Sequence, residues 1–207
     1  MPGHTAVQQT RRDEGPLTDR GSQRKRALIE AARRVFEGKG FIDATVRDIT
    51  VEADVSHGTF YTYFDTKEAI FKAVCDAVVD DMLASLAVPV ASRDFPGRVR
   101  DSVRRYVDAY RPHAKIIGLM EQVGTFSAEM RQMRLDVRKA FVQRTRRGIE
   151  SMKARGLADP ELDAEYTAES LGAMLEYICY MWFSLEHPFE EDRLVAALST
   201  VWEKTIS

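Results

Sequence analysis

The chain is 207 residues long, 44% hydrophobic and 30% charged. That size and balance fit one or two soluble globular domains and exclude a disordered polymer, a collagen-like fibre and a membrane bundle. Thirty lysines and arginines against 32 aspartates and glutamates leave a net charge of −2, which excludes unspecific coating of nucleic acid but leaves room for a local basic patch.

Residues 1–21 are polar, with Pro2, Gly3, Gly15, Pro16 and Gly21. They read as a flexible arm, and they lack the apolar run of a secretory signal. Ala27, Leu28, Ala31, Val35 and Phe36 then recur at helical spacing, and Lys39-Gly40 is a C-cap pattern. A short helix follows from about Thr45 to Ala53, then a break at Asp54, then a second short helix from Ser56 to about Tyr63. Thr45 and Ser56 are hydroxyl N-caps. Asp65-Thr66 caps a long helix over about 67–86, with Glu68 in its first turn.

The segment 88–97, with Pro89 and Pro96, reads as a loop. Val99, Val103, Tyr106, Val107 and Tyr110 line one face of a helix that stops near Pro112. Further helices are expected over about 114–125, 128–154, 163–185 and 189–204. The longest apolar stretch, 171–185, is interrupted by Glu176. It is shorter than the ~20 residues of a membrane span, so no membrane partner is expected. Cys75 and Cys179 lie far apart and form no CxxC, which suits a reducing compartment, so the expected location is cytoplasmic. His4, His57, His113 and His187 never fall at metal-ligand spacing, and no metal or other cofactor is expected.

The informative segment is ATVRDITVEADVSHGTFYTYFDTK, residues 44–67. Two helices of about two turns each, joined by a tight turn and preceded by a third helix, form a helix-turn-helix layout. Val46, Ile49, Ala53, Val55 and Phe60 have the spacing to pack the pair together. Ser56, His57, Gly58 and Thr59 make a slim first turn on the second helix, as entry into a major groove requires. Between Arg20 and Arg47 there are eight cations and three anions, a local balance of +5. This is the footprint of a DNA-binding end on an acidic body. Thr45 and Arg47, with the neighbouring Val46, are expected to position the first motif helix on the DNA backbone. Ser56, His57, Gly58 and Thr59 should meet base edges. Arg26, Tyr61, Tyr63 and Lys67 should hold phosphates. Lys67 sits in a first helical turn, a poor place for a cation unless an anion joins it.

The pattern T-V-R-D-I-x-x-E-A-x-V-S-x-G-T-x-Y-x-Y-F-x-x-K-E resembles the TetR-type transcriptional regulators over about Arg26 to Val74. Asp54 stands where that family usually has glycine, and aspartate tolerates the left-handed backbone better than most residues. The resemblance implies an all-α chain, with a helix-turn-helix domain over 22–67 and a helical ligand-binding and dimerisation domain over 68–207. It also implies a homodimeric repressor, released from a palindromic operator on double-stranded DNA by a small-molecule effector.

In the C-terminal part, Met120, Phe126, Met133, Met174, Tyr177 and Met181, with Tyr106, are candidates for an apolar cavity, since methionine adapts its shape. Arg138 belongs to a basic side of the 128–154 helix that suits an anionic head, such as that of an acyl-coenzyme A. Glu176 is read as a ligand contact or a pairing residue at a dimer seam. The 163–185 helix is too apolar to face water on any wide side, the last helix has a narrow apolar stripe with a tryptophan, and Leu175, Trp182, Leu194, Leu198, Val201 and Trp202 are expected to build a four-helix dimer interface. A DNA-binding activator or a ligand-independent regulator is the competing class. An enzyme is the remote one, because no catalytic triad order, Gly-rich phosphate loop or HExxH helix occurs.

Overall fold

A computed structural model describes residues 19–126 and 128–207, and the described residues contain helices but no strand. The expected arm therefore lies outside the described residues over 1–18, while 19–21 already belong to the first helix. That helix, α1 (Asp19–Asp43), buries Leu28, Ala31, Val35 and Phe36 of the expected stripe together with Ala32, while Ala27 is exposed. It bends at Gly40, whose φ of 76° lies in the left-handed region that glycine enters without penalty. The bend folds Phe41 back beside Phe36 and Phe71, with ring centroids 4.9–5.8 Å apart.

Helices α2 (Val46–Glu52) and α3 (His57–Tyr63) complete an N-terminal head. Asp54, between them, adopts φ 51°, the conformation expected at the turn. Helix α4 (Lys67–Ala87) starts at the Thr66 cap and packs against α1 at one end and against the C-terminal helices at the other. The body continues as α5 (Phe95–Tyr110), a 3-10 turn over Arg111–His113, α6 (Ala114–Val123), α7 (Ala128–Ala154), α8 (Ala164–Phe183) and α9 (Glu191–Ile206).

Two boundaries move for physical reasons. Helix α5 begins inside the expected 88–97 loop, because Asp94 accepts from the Gly97 amide at 2.7 Å and Pro96 fits a first turn, where its missing N–H costs nothing. Helix α9 begins after Glu190, whose carboxylate accepts from the amides of Asp192 and Arg193, so Phe189 precedes the helix. One apolar core runs unbroken from Leu28, Phe36, Ile49 and Phe60 in the head to Val103, Ile116 and Leu175 in the body. A smaller cluster around Ile149, Leu171 and Ile206 closes the far end. Among the described residues no helix is long and apolar enough to cross a membrane.

Candidate nucleic-acid interface and effector cavity

Local hydrogen bonding sets the head. The Thr45 hydroxyl accepts from the Asp48 amide at 3.1 Å and donates to the Asp48 carboxylate at 2.8 Å, while the Thr45 amide donates to the same carboxylate. This is a complete capping box. Lys39 donates to Asp48 at 2.7 Å. That bond, and then the bonds from Thr45, hold the Asp48 carboxyl down at about 2. Ser56 caps α3 by accepting from the Thr59 amide at 3.2 Å. The Thr50 hydroxyl gives its proton to the Arg47 carbonyl at 3.0 Å and lies 3.3 Å from His57 Nδ1. In the tautomer that donates Nδ1–H to Thr50, His57 Nε2 is an acceptor.

His57 and Gly58 are exposed, Thr59 is half-buried, and Tyr61 is 47% exposed. A Cβ added to Gly58 would meet only Ser56 Oγ at 3.8 Å, so nothing inside the protein requires glycine there. The cations of the head divide into two groups. Arg33 pairs with Glu37, Arg34 with Glu52 and Lys39 with Asp48, at 2.6–2.8 Å. Among the described residues, Arg20, Arg24, Lys25, Arg26 and Arg47 have no carboxylate within ion-pair distance; Lys25 lies over the Phe64 ring. Arg33 also donates to the Pro112 carbonyl at 2.8 Å, tying head to body.

In the body, a cavity of about 350 Å³ lies among α4, α5, α6, α7 and α8, with Trp202 and Ile206 of α9 at one end. Its wall is mostly apolar, from Val78 and Met82 through Val99 and Val103 to Val137 and Ile149. Tyr106, Arg134, Arg138 and Glu176 provide a polar side. Glu176 accepts from Arg134 and, at 2.9 Å, from Arg138. Arg134 also pairs with Glu121, and Arg138 with Glu169 at 2.7 Å. Burial raises the Glu176 carboxyl above its ordinary range despite the two guanidiniums, and it pushes the Tyr106 phenol well up and the Cys179 thiol up to about 12.

Comparison with known proteins agrees with both regions. Residues 28–74 match the model of the bacterial regulatory proteins of the TetR family, and residues 99–207, more than half the chain, match the C-terminal domain of the transcriptional regulator EthR. The chain belongs to the TetR family. It is 26% identical over 190 residues to the HTH-type transcriptional regulator EthR of Mycobacterium tuberculosis, covering 90% of this chain and 88% of that protein. It is 29% identical over 171 residues to the HTH-type regulator YdgC of Bacillus subtilis, covering 78% and 82%. Two solved structures share the fold. The fatty acid degradation regulator FadR of Bacillus halodurans has a TM-score of 0.73 at 18% identity, covering 92% of this chain and 96% of that one. Salmonella enterica GusR has a TM-score of 0.76 at 17% identity, covering 93% and 99%. This TetR-family member is a DNA-binding transcriptional regulator and not an enzyme.

Several expected site residues lie elsewhere in this TetR-family chain. Lys67 Nζ donates to the carbonyls of Phe41 at 2.7 Å, Ile42 at 3.2 Å and Ala44 at 2.9 Å, and sits 4.5 Å from the Phe41 ring centroid. Its three N–H groups donate to the C-terminal end of α1, so the conflict with the α4 dipole is already met within the chain. Thr45 gives its proton to Asp48, whose carboxylate already occupies the α2 N-terminus where an anion was expected. Tyr63 is half-buried against the core, unlike Tyr61.

Of the candidate cavity residues, Tyr106, Met120 and Arg138 line the cavity. Phe126 and Tyr177 are 64% and 61% exposed. Met133 is core, and Met174 and Met181 are half-buried outside the wall. Most of the remaining wall comes from α4 and α5. Its signals in the sequence, the apolar run at Val78, Val79, Met82 and Leu86 and the face of Val99, Val103 and Tyr110, read as ordinary core.

Within the protomer the expected interface residues are distributed as follows. Leu175 and Leu198 are buried within the protomer, and Leu175 and Trp202 face the cavity. Trp182 stacks on Phe183 at 4.5 Å beneath Arg111, and Leu194 packs on the core. Of that set only Val201 is exposed. Glu176 sits on the cavity wall, paired with α7, and not at an outer seam.

Proposed function

We propose that this regulator is a homodimeric repressor that reads a palindromic operator with α3 and leaves it when a small hydrophobic or acyl-type ligand fills the body cavity. The observation that carries the reading is the first turn of α3, with Ser56, His57 and Gly58 exposed and Thr59 half-buried, on a head whose Arg20, Arg24, Lys25, Arg26 and Arg47 have no acidic partner among the described residues. A capped helix with a glycine on its outer face brings its backbone close to base edges. His57 Nε2, as an acceptor, suits the exocyclic amine of adenine or cytosine in the major groove. In this reading the exposed Arg26, Arg47 and Tyr61 hold phosphates, and the half-buried Val46 braces α2.

The outer faces of α8 and α9 support the dimer. Tyr166, Ser170, Ala173 and Tyr177 follow one another at helical spacing on α8, and Ala197 and Val201 do so on α9, all exposed in the protomer. Two such faces from each of two chains build a four-helix seam with small residues at its centre. Ligand release follows from α4, whose first turn is held to α1 by Lys67 and whose last turns wall the cavity. A ligand that favours one placement of α4 shifts the spacing of the two heads by its differential affinity for the two states.

Selection from a pool of random duplexes with the full chain tests the reading. The expected result is a palindromic consensus bound with a steep salt dependence, and a molecular mass in solution of twice the chain. Recovery of no consensus, with binding that is flat in salt, overturns it.

A further inference from the structure

Three arginines converge where the cavity meets the end of α4. Arg98 and Arg105 lie on α5 and Arg144 on α7. A second hollow, lined by Leu86 to Val90 and these three arginines, shares Leu86, Arg98, Ser102 and Arg144 with the main cavity. Arg98, Ser102 and Arg144 are exposed, so this shared rim opens to solvent. Arg144 donates to the Leu86 carbonyl, and Arg105 to the carbonyls of Val88 and Pro89. Among the described residues no carboxylate lies within ion-pair distance of any of the three. The nearby Asp101 accepts from the Ser92 amide at 3.0 Å. Partial desolvation of its guanidinium, and then repulsion from Arg105 and Arg147, press Arg144 below its ordinary pKa.

From this rim the main cavity runs inward along α5, past Val99 and Val103 to Tyr110 and Met120. Phe95 to Tyr110 spans about 22 Å of helix at roughly 1.5 Å per residue. The cations at the closed side, Arg134 and Arg138, already hold Glu121, Glu169 and Glu176. The polar ends of the cavity therefore differ: one is neutralised, the other is cationic and open.

We infer that the cavity selects a single-headed anionic amphiphile, with its carboxylate or phosphate held by Arg98 and Arg144 at the rim and its apolar tail along α5. This rests on the proposed ligand response and adds to it the charge of the ligand and the place of its head. An ionised oxygen is a stronger acceptor than a peptide carbonyl, so the head competes with the Leu86 carbonyl for Arg144 and loosens the cavity end of α4.

Calorimetric titration of the full chain with dodecanoate, dodecyl phosphate, dodecanol and dodecyltrimethylammonium tests the inference, each below its micelle-forming concentration. Charge-assisted hydrogen bonds at the rim should make one or both anions bind about tenfold or more tighter than dodecanol, and the cation should not bind. The two anions distinguish a carboxylate from a phosphate head. Arg98→Gln, whose side chain has no hydrogen-bond partner among the described residues, and Arg144→Gln should each shrink the ratio of anion affinity to dodecanol affinity. Dodecanol binding as tightly as both anions, the preference surviving in both variants, or no binding by any amphiphile overturns the inference. Duplex binding measured on the same preparation reads the head separately, so failure of the DNA-binding reading and failure of the anion site are distinguishable.

Discussion

The head and the body of this protein are built on different length scales. In the head, each functional side chain is placed by partners a few residues away: Thr45 by Asp48, Ser56 by Thr59, His57 by Thr50. In the body, the polar wall of the cavity joins residues distant along the chain, with Glu176 on α8 meeting Arg134 and Arg138 on α7, and Arg144 reaching Leu86 on α4. A surface that must fit a fixed partner can be specified by short-range caps. A cavity is the space left by helices that pack imperfectly, so its shape depends on every helix around it. The head is dense and the body is hollow, and the same substitution should report this difference.

The largest expected effect is in packing. Ile49 in the head is fully buried, and Ile117 in the body is buried but lines the cavity. Ile49→Ala should cost about 4 kcal/mol and Ile117→Ala about 2 kcal/mol, because a side chain beside an existing void has fewer contacts to lose. Urea unfolding measures both, and equal losses would show that the two regions are packed alike.

Lys67 comes next, at the junction of head and body. Lys67→Met should cost about 2 kcal/mol by releasing three carbonyls at the end of α1, with the salt slope of duplex binding unchanged. A slope reduced by about one would instead place a phosphate on Lys67.

Gly58→Ala separates fold from recognition. Because a Cβ fits at residue 58 within the protein, the substitution should raise stability by about 0.5 kcal/mol through helix propensity. It should weaken duplex binding by roughly tenfold if base edges approach that backbone. Melting and binding measured together decide the matter, since a loss of both would make Gly58 a folding residue.

The smallest effect is a pH dependence of the head. Asp48 is held at about 2, below the ~3.9 of an unfolded chain. Its contribution is fully present above about pH 4 and disappears as the pH falls through about 2. The melting temperatures of the parent chain and Asp48→Asn should therefore converge on acidification from about pH 5 to about pH 2. A constant difference over that interval would remove Asp48 from the account.

Legibility in the sequence followed the same divide. The helices, the caps at Thr45, Ser56 and Thr66, and the left-handed turn at Asp54 could be read because each depends on neighbouring residues. Counting charges between Arg20 and Arg47 found the basic end. It could not tell that Arg34 and Lys39 are paired with acids, since their partners Glu52 and Asp48 lie beyond the counted stretch. The methionines and aromatics of α6 to α8 suggested a cavity, but a helix shows only which residues are apolar and not which neighbour they meet. Tyr177 thus proved exposed, and Leu175 and Trp202 turned inward.

The sequence alone determined the all-α composition, the helix-turn-helix and the capped first turn of α3, because helical periodicity and capping are local physics. Only the tertiary structure decided that Lys67 clasps the end of α1, that Glu176 is held by two arginines of α7, and where the hollow in the body opens. Those facts depend on how separate helices cross, and pairings between distant residues leave no trace in the spacing along one chain.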